Sequence, residues 1–136
     1  NVQDFLRRAV FEDEIGRFAY PIDVHAPTPD RAGEVFEGMR RYRMGPGESY
    51  GIPYRVLTPR GLSNVLTAGR CVSADRQVFG SIRVMPGCFI TGQAAGVAAA
   101  IAARGPADVR QVPIAELHGR LKALGAFLPN ARPGHE

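Results

Sequence analysis

The sequence predicts an α/β fold, and four segments carry that prediction. A short apolar run over residues 62–68 ends at Gly69, as a strand buried on both faces of a parallel sheet would. Residues 75–84 have apolar side chains at helical spacing. Residues 86–104 begin with proline and carry no charge before the final arginine, which is typical of a long buried helix. Residues 113–124 place isoleucine and leucine on one stripe, which predicts an amphipathic packing helix. With 136 residues, 45% of them hydrophobic, the chain can bury a core.

The first half of the chain predicts smaller elements. Apolar residues at helical spacing favour a helix over residues 2–10. Because the helical pattern starts at once and without methionine, we expect an N-terminal portion of the same protein to be missing. Runs over 19–25 and 50–57 contain β-branched and aromatic residues together with proline, which favours edge strands. The proline- and glycine-rich stretch between them predicts a loop with one helical turn near 31–39.

Composition and charge narrow the class of protein. The net charge of +4 comes from 17 Lys and Arg against 13 Asp and Glu. The clustered basic and aromatic pattern of nucleic-acid binders is missing, so we expect no nucleic-acid partner. Cys71 and Cys88 have neither CxxC nor zinc-ligand spacing and predict buried free thiols in a reducing cytoplasm. Residues 86–103 are uncharged, but they are rich in glycine and alanine and include Thr91 and Gln93. A buried helix therefore explains them better than a membrane span.

The most specific pattern is a strand that ends in glycine, a connection, and a helix of small residues. Ligands of open α/β sheets bind beyond the carboxyl ends of the strands, where a glycine such as Gly69 lets them approach the backbone. Gly92 and Gly96 lie on one face of the helix, and helix amides can hold electron-rich atoms. Two interpretations are open, contact with a flat ligand or plain packing of the helix on the sheet.

A series of short motifs runs along the chain in a characteristic order. The motifs are residues 20–25, Ile52-Pro53-Tyr54-Arg55, Asn64-Val65-Leu66, Ala68-Gly69-Arg70, Ser73-Ala74-Asp75, residues 80–86 and Gly92-Gln93-Ala94-Ala95-Gly96. In order and spacing they resemble the C-terminal signature of bacterial FAD-dependent oxidoreductases of the glutathione-reductase-like superfamily. The resemblance extends over residues 11–128.

This resemblance implies a more detailed fold and a cofactor. Residues 1–60 would belong to a substrate-side or cap region with part of a sheet. Residues 61–105 would form the C-terminal half of a Rossmann-like FAD-binding domain, and residues 106–136 a C-terminal packing helix and tail. The implied cofactor is FAD, which performs the hydride chemistry while the protein sets its position and electrostatics.

The resemblance also implies which residues approach the cofactor. The backbone after the predicted strand would lie near the diphosphate and ribityl part of FAD, and the glycine-containing helix near the isoalloxazine ring. The residues implied are Ala68, Gly69 and Arg70 for the first group, and Gly92, Gln93, Ala94 and Ala95 for the second.

Candidates for substrate chemistry are fewer. Arg83, just before the long helix, is a candidate for orienting an anionic substrate or the flavin, and a structural ion pair is the alternative. His25, at the end of a predicted strand, is a candidate proton donor, and a structural histidine is the alternative. We expect His118 and His135 to be exposed on the tail.

One family feature does not occur in this chain, the G-x-G-x-x-G turn that receives the pyrophosphate. Gly45-Pro46-Gly47 lacks the third glycine. We therefore expect the chain alone to bind FAD weakly or not at all, and to act on a small-molecule substrate only together with the missing portion. The alternative is a non-enzymatic α/β module for docking or oligomerisation, and a homo-oligomer is compatible with both interpretations.

Overall fold

The computed structural model describes residues 1–25, 28–31, 33, 37, 40, 42–105 and 108–131. The elements with described bounds are the helices α1 (Val2–Leu6), α2 (Arg76–Ile82), α3 (Met85–Ala102) and α4 (Ile114–Ala123), and the strands β1 (Glu14–Phe18) and β2 (Tyr50–Pro53). Short 3-10 turns lie at Pro29–Arg31, Tyr54–Leu57, Gly69–Cys71 and Val109–Gln111.

The sheet is a two-stranded antiparallel ribbon. β1 and β2 pair with Phe18 opposite Tyr50, and the register shifts between Glu14 and Gly16. Gly16 leaves room for α3, because a Cβ at this position would lie 2.5 Å from Cγ2 of Ile90. Helices together with this small sheet are consistent with the α/β class.

Helix α3 is the central packing element, as the sequence predicts. It begins at Met85, with Pro86 in the first turn where no amide hydrogen is needed. Its buried residues recur at helical spacing and are Gly87, Thr91, Ala94, Ala98 and Ile101. By length and composition α3 is also the one helix in the described part of the chain that could cross a membrane, with a mean hydropathy of 1.3. Core helices pass the same test, but only 33% of α3 is buried, so the prediction of a buried helix holds along one stripe and not around the whole helix.

The helices around α3 follow local signals in the sequence. Asp75 caps α2 by accepting a hydrogen bond from the amide of Val78 at 2.8 Å. α4 buries Leu117 and Leu121 and ends before Gly125, whose φ of +83° is the left-handed conformation that favours glycine. The predicted helices over 75–84, 86–104 and 113–124 are confirmed.

The strand predictions are less accurate than the helix predictions. The prediction of a strand over 62–68 is wrong, because a strand needs a hydrogen-bonded neighbour and none lies beside this segment among the described residues. The segment makes isolated backbone bonds, from Thr67 N–H to the Leu57 carbonyl and from Val109 N–H to the Ser63 carbonyl, both 2.8 Å.

Three other elements are shorter or displaced. Residues 19–25 are irregular, and the strand precedes them at 14–18. The strand predicted over 50–57 ends at Pro53, which cannot continue a ladder and is followed by a 3-10 turn. The first helix ends at Leu6 instead of continuing to residue 10. The helical turn expected near 31–39 falls largely outside the described residues.

Candidate functional site

The loop at Ala68–Arg70 and helix α3 are joined by a hydrogen bond. Gly69 has a φ of +61°, a left-handed conformation open to glycine. Its amide donates to Oγ1 of Thr91 at 2.9 Å. Thr91 is completely buried and donates in turn to the Gly87 carbonyl at 2.9 Å. The two motifs that the sequence singles out therefore lie side by side.

The outer face of α3 is open and poor in side chains. Gly92, Gln93 and Gly96 are exposed, and among the described residues a Cβ on either glycine would meet no atom within 4 Å. Phe89, one turn earlier, is 70% exposed. The open face thus consists of glycine and glutamine flanked by an exposed aromatic ring.

The implied ring-binding stretch divides between the two sides of α3. Gly92 and Gln93 face outward, Ala95 is half-buried, and Ala94 is completely buried in the core. All four lie in the middle of the helix, where backbone amides are used by helical hydrogen bonds. The expectation that free helix amides stand near Gln93 is therefore wrong, since α3 begins two turns earlier.

Arg70 directly follows Gly69 in the 3-10 turn Gly69–Cys71. Its side chain is exposed, and within the described part of the chain it has no ion-pair or hydrogen-bond partner. Cys71 beside it is also exposed, so the prediction of a buried thiol is wrong there. Cys88 is half-buried, and its thiol lies 3.4 Å from the carbonyl oxygen of Arg83.

The two candidate substrate-side residues flank one loop. Nη2 of Arg83 donates to the Asp23 carbonyl at 3.2 Å and lies 3.8 Å from the Asp23 carboxylate. The loop approaches α2 so closely that a Cβ on Gly80 would lie 2.7 Å from the same carbonyl oxygen. Arg83 therefore holds the loop, in keeping with the structural alternative, and His25 at the end of this loop is exposed.

A buried polar cluster, missed by the sequence analysis, lies between β1 and α4. The carboxylate of Glu14 pairs with Arg17 at 2.8 Å, and both side chains are almost fully buried. Nε2 of His118 donates to the Glu14 carbonyl at 2.8 Å. The prediction of an exposed His118 is wrong, because the side chain is 5% exposed. His135 lies outside the described residues.

Burial controls the protonation of this cluster. Desolvation raises the pKa of Glu14, and the charge of Arg17 opposes that shift. Desolvation also lowers the pKa of His118, whereas the hydrogen bond to the Glu14 carbonyl acts to raise it. The desolvation effect is the larger one, so the neutral imidazole is favoured. The spacing of apolar residues in α4 offers a signal for the burial of His118. His118 lies three residues before Leu121, on the side of the helix that α4 buries.

The exposed residues among those predicted to bind the cofactor, Arg70, Gly92 and Gln93, lie outside the two hollows described below. A hollow of about 800 Å³ at the start of α3 is lined by Phe18, Tyr20, Met85 and Phe127 among others. Another of about 710 Å³ lies between α1, β2 and Arg60. Neither is lined by Gly69, Arg70, Gly92 or Gln93. Within the described ranges, no group of three metal-ligating side chains occurs.

Comparison with known proteins identifies a family. A family model described as FAD dependent oxidoreductase matches residues 1–121 of the chain. No curated protein and no solved structure gave a match.

Proposed function

The chain belongs to the FAD-dependent oxidoreductase family, and from that premise we propose that it supplies one side of the flavin site of a larger protein. Family membership implies FAD as the cofactor. The finer assignment, the C-terminal half of a Rossmann-like domain in the glutathione-reductase-like superfamily of bacteria, is part of the proposal. It rests on the resemblance of the motifs.

The surface around Gly69 fits an elongated anionic cofactor with a flat ring. The junction of Gly69 with Thr91, beside the open face of α3, is the observation that carries the proposal. A glycine loop allows close approach, and the exposed Arg70 offers charge to a diphosphate. Gly92 and Gly96 leave space for a ring along the helix.

Each implied residue then has a distinct role. Bound FAD supplies the hydride chemistry. Ala68 and Gly69 would form the wall along the diphosphate and ribityl chain, and Arg70 would neutralise phosphate charge. Gly92 would admit the ring, and the exposed carboxamide of Gln93 would hydrogen-bond to it, while Ala94 and Ala95 hold the helix against the core.

The roles of Arg83 and His25 on the substrate side are also part of the proposal. Arg83 is bound to Asp23, so we propose that it positions the loop that leads to His25. His25 is exposed and is proposed to face a small-molecule substrate in the whole protein. The two free cysteines support a cytoplasmic location, because thiols persist in reducing compartments.

The competing function is a non-enzymatic docking or oligomerisation module. Leu62, Val65, Met85 and Phe89 are exposed apolar side chains, and such groups mark interaction surfaces. The preceding portion of the same protein is the partner we propose for them. A second copy of this chain is the alternative occupant.

The test supplies the N-terminal portion that we propose as partner in trans and records the visible absorption spectrum after gel filtration. We expect a yellow complex with stoichiometric flavin, and little or no flavin on the chain alone. Arg70→Ala should weaken FAD binding roughly tenfold by removing a charge-assisted contact. Arg76→Ala, which removes an exposed arginine on α2, is the matched control.

Three outcomes would count against the proposal. Stoichiometric flavin on the chain alone would refute its dependence on a second portion. A colourless complex would refute the flavin role. Dimers of the chain that neither bind the N-terminal portion nor take up flavin would favour the docking module.

A further inference from the structure

Thr91 makes an unusual set of contacts for a threonine inside a helix. Such hydroxyl groups commonly donate to a carbonyl in the preceding turn, and Thr91 does so to Gly87 at 2.9 Å and to Cys88 at 3.1 Å. A hydroxyl keeps lone pairs that can accept a further hydrogen bond. The Gly69 amide occupies this acceptor at 2.9 Å, although 22 residues separate the two in sequence.

The amide of Gly69 depends on this contact. Gly69 is half-buried, and its N–H donates to Thr91. Without the hydroxyl, this donor would face the apolar side of α3 unpaired, which is costly for a backbone group away from water. The left-handed φ of +61° and the hydrogen bond together fix the direction of the chain as it enters Arg70.

We propose that Thr91 is a positioning residue that holds the loop Ala68–Arg70 in its cofactor-binding conformation before the cofactor arrives. The inference rests on the function proposed above. Because the Gly69 N–H is used by Thr91, it is not offered to the ligand. The loop instead contributes its close backbone approach and the Arg70 charge, and fixing the loop in advance lowers the ordering cost of binding.

The experiment compares Thr91→Val with Thr91→Ser in the complex reconstituted from this chain and the N-terminal portion. Valine keeps the shape and removes the hydroxyl, whereas serine keeps the hydroxyl. Thr67→Val is the matched control, because it removes a threonine hydroxyl that bonds to the Leu57 carbonyl instead. Hydrogen exchange of the Gly69 amide is measured before FAD is added, and FAD affinity is then measured by titration.

We expect Thr91→Val to speed exchange of the Gly69 amide and to raise the FAD dissociation constant, each roughly tenfold. Thr91→Ser and Thr67→Val should stay close to wild type in both measurements. If Thr91→Val does not fold, Thr91→Ala, which adds no volume, takes its place.

The outcomes separate the two proposals. Unchanged exchange at Gly69 in Thr91→Val would overturn the role of Thr91. Thr91→Val could instead speed exchange without changing FAD affinity, while Arg70→Ala still weakens FAD binding. That result would overturn the effect of Thr91 on the cofactor but not its hold on the loop. If wild type takes up FAD but neither Arg70→Ala nor Thr91→Val changes the affinity, the placement of the loop at the cofactor fails, and the cofactor role of Thr91 fails with it.

Discussion

The inner side of α3 carries Thr91, Ala94 and Ala98, all completely buried, whereas its outer side presents Phe89, Gly92 and Gly96 to solvent. Both sides consist of small and apolar residues. On the inner side the sheet ribbon and α4 cover them. On the outer side, within the described residues, no side chain comes within 4 Å of where a Cβ on either glycine would lie. A single helix therefore combines a buried inner side with an open outer side.

This contrast shows that composition does not identify the function of a helix face. Small residues permit close approach wherever they lie, and a neighbour decides whether that approach is used for packing or binding. The inner side is identified by its satisfied polar groups, such as the hydroxyl of Thr91 and the pair Glu14–Arg17. The following substitutions test how firmly the two sides differ.

The largest effect should come from breaking the buried ion pair of the inner side. Arg17→Met leaves the Glu14 carboxylate buried without its partner, and we expect a loss of about 3 to 5 kcal/mol in the free energy of unfolding by urea. The double variant with Glu14→Gln should regain part of the loss. Arg104→Met, which breaks an exposed pair with Glu116, is the control and should change little. Equal effects of the two single variants would contradict a stabilising role for the buried pair.

Two glycines of α3 give the most direct comparison of its two sides. A Cβ on Gly87 would overlap the backbone carbonyl of Ile82, so Gly87→Ala should cost about 3 kcal/mol. Gly96→Ala meets open space and should stabilise the helix by about 0.5 to 1 kcal/mol. Thermal unfolding of both variants measures the difference. A destabilised Gly96→Ala chain would mean that the outer side is already covered in solution.

A smaller loss should follow removal of one buried hydroxyl. The hydroxyl of Tyr54 donates to the Val109 carbonyl at 2.6 Å, and burial raises the pKa of Tyr54 to about 12. Tyr54→Phe leaves that carbonyl without this bond and should cost about 1 to 2 kcal/mol in urea unfolding. Tyr20→Phe is the control, because its side chain is half-buried and its hydroxyl makes no hydrogen bond to any of the described residues. An equal cost in both variants would argue against the Tyr54 bond.

The smallest effect concerns pH. Because the pKa of His118 is lowered in the folded chain, its contribution to stability is complete above the ordinary value of 6.5 and is lost as the pH falls through the folded value. Glu14, whose pKa is raised by burial, acts in the opposite direction. His118→Gln keeps a donor for the Glu14 carbonyl and should flatten the decline of the melting temperature below pH 6.5. A decline that persists in His118→Gln would assign it to another group.

The sequence predicted the helices well because their signals are local. Asp75 caps α2, Pro86 opens α3, and Gly125 ends α4, and each acts within a few residues of its helix. The segment 62–68 has the composition of a buried strand, but pairing depends on a distant neighbour that its own residues do not encode. For the same reason the strand predicted over 19–25 is displaced, and the chain forms its strand at 14–18 instead.

The candidate site could be predicted in outline. The motif around Gly69 and the glycine-containing helix are adjacent, as expected, yet the pattern did not show that Ala94 faces the core while Gln93 faces outward. Glycine and alanine occur on every side of α3, so periodicity carries little information there. The contact between His118 and Glu14 spans 104 residues and depends on how α4 packs on β1.

The exposure of Cys71 next to Arg70 has a practical consequence for observing this surface. The chain has two cysteines, and the thiol of Cys88 is half-buried while that of Cys71 faces solvent. A maleimide dye should therefore attach first at Cys71, one residue from the loop. Flavins quench nearby dyes, so the fluorescence of a dye at Cys71 should fall when FAD binds. No new cysteine has to be introduced to measure this.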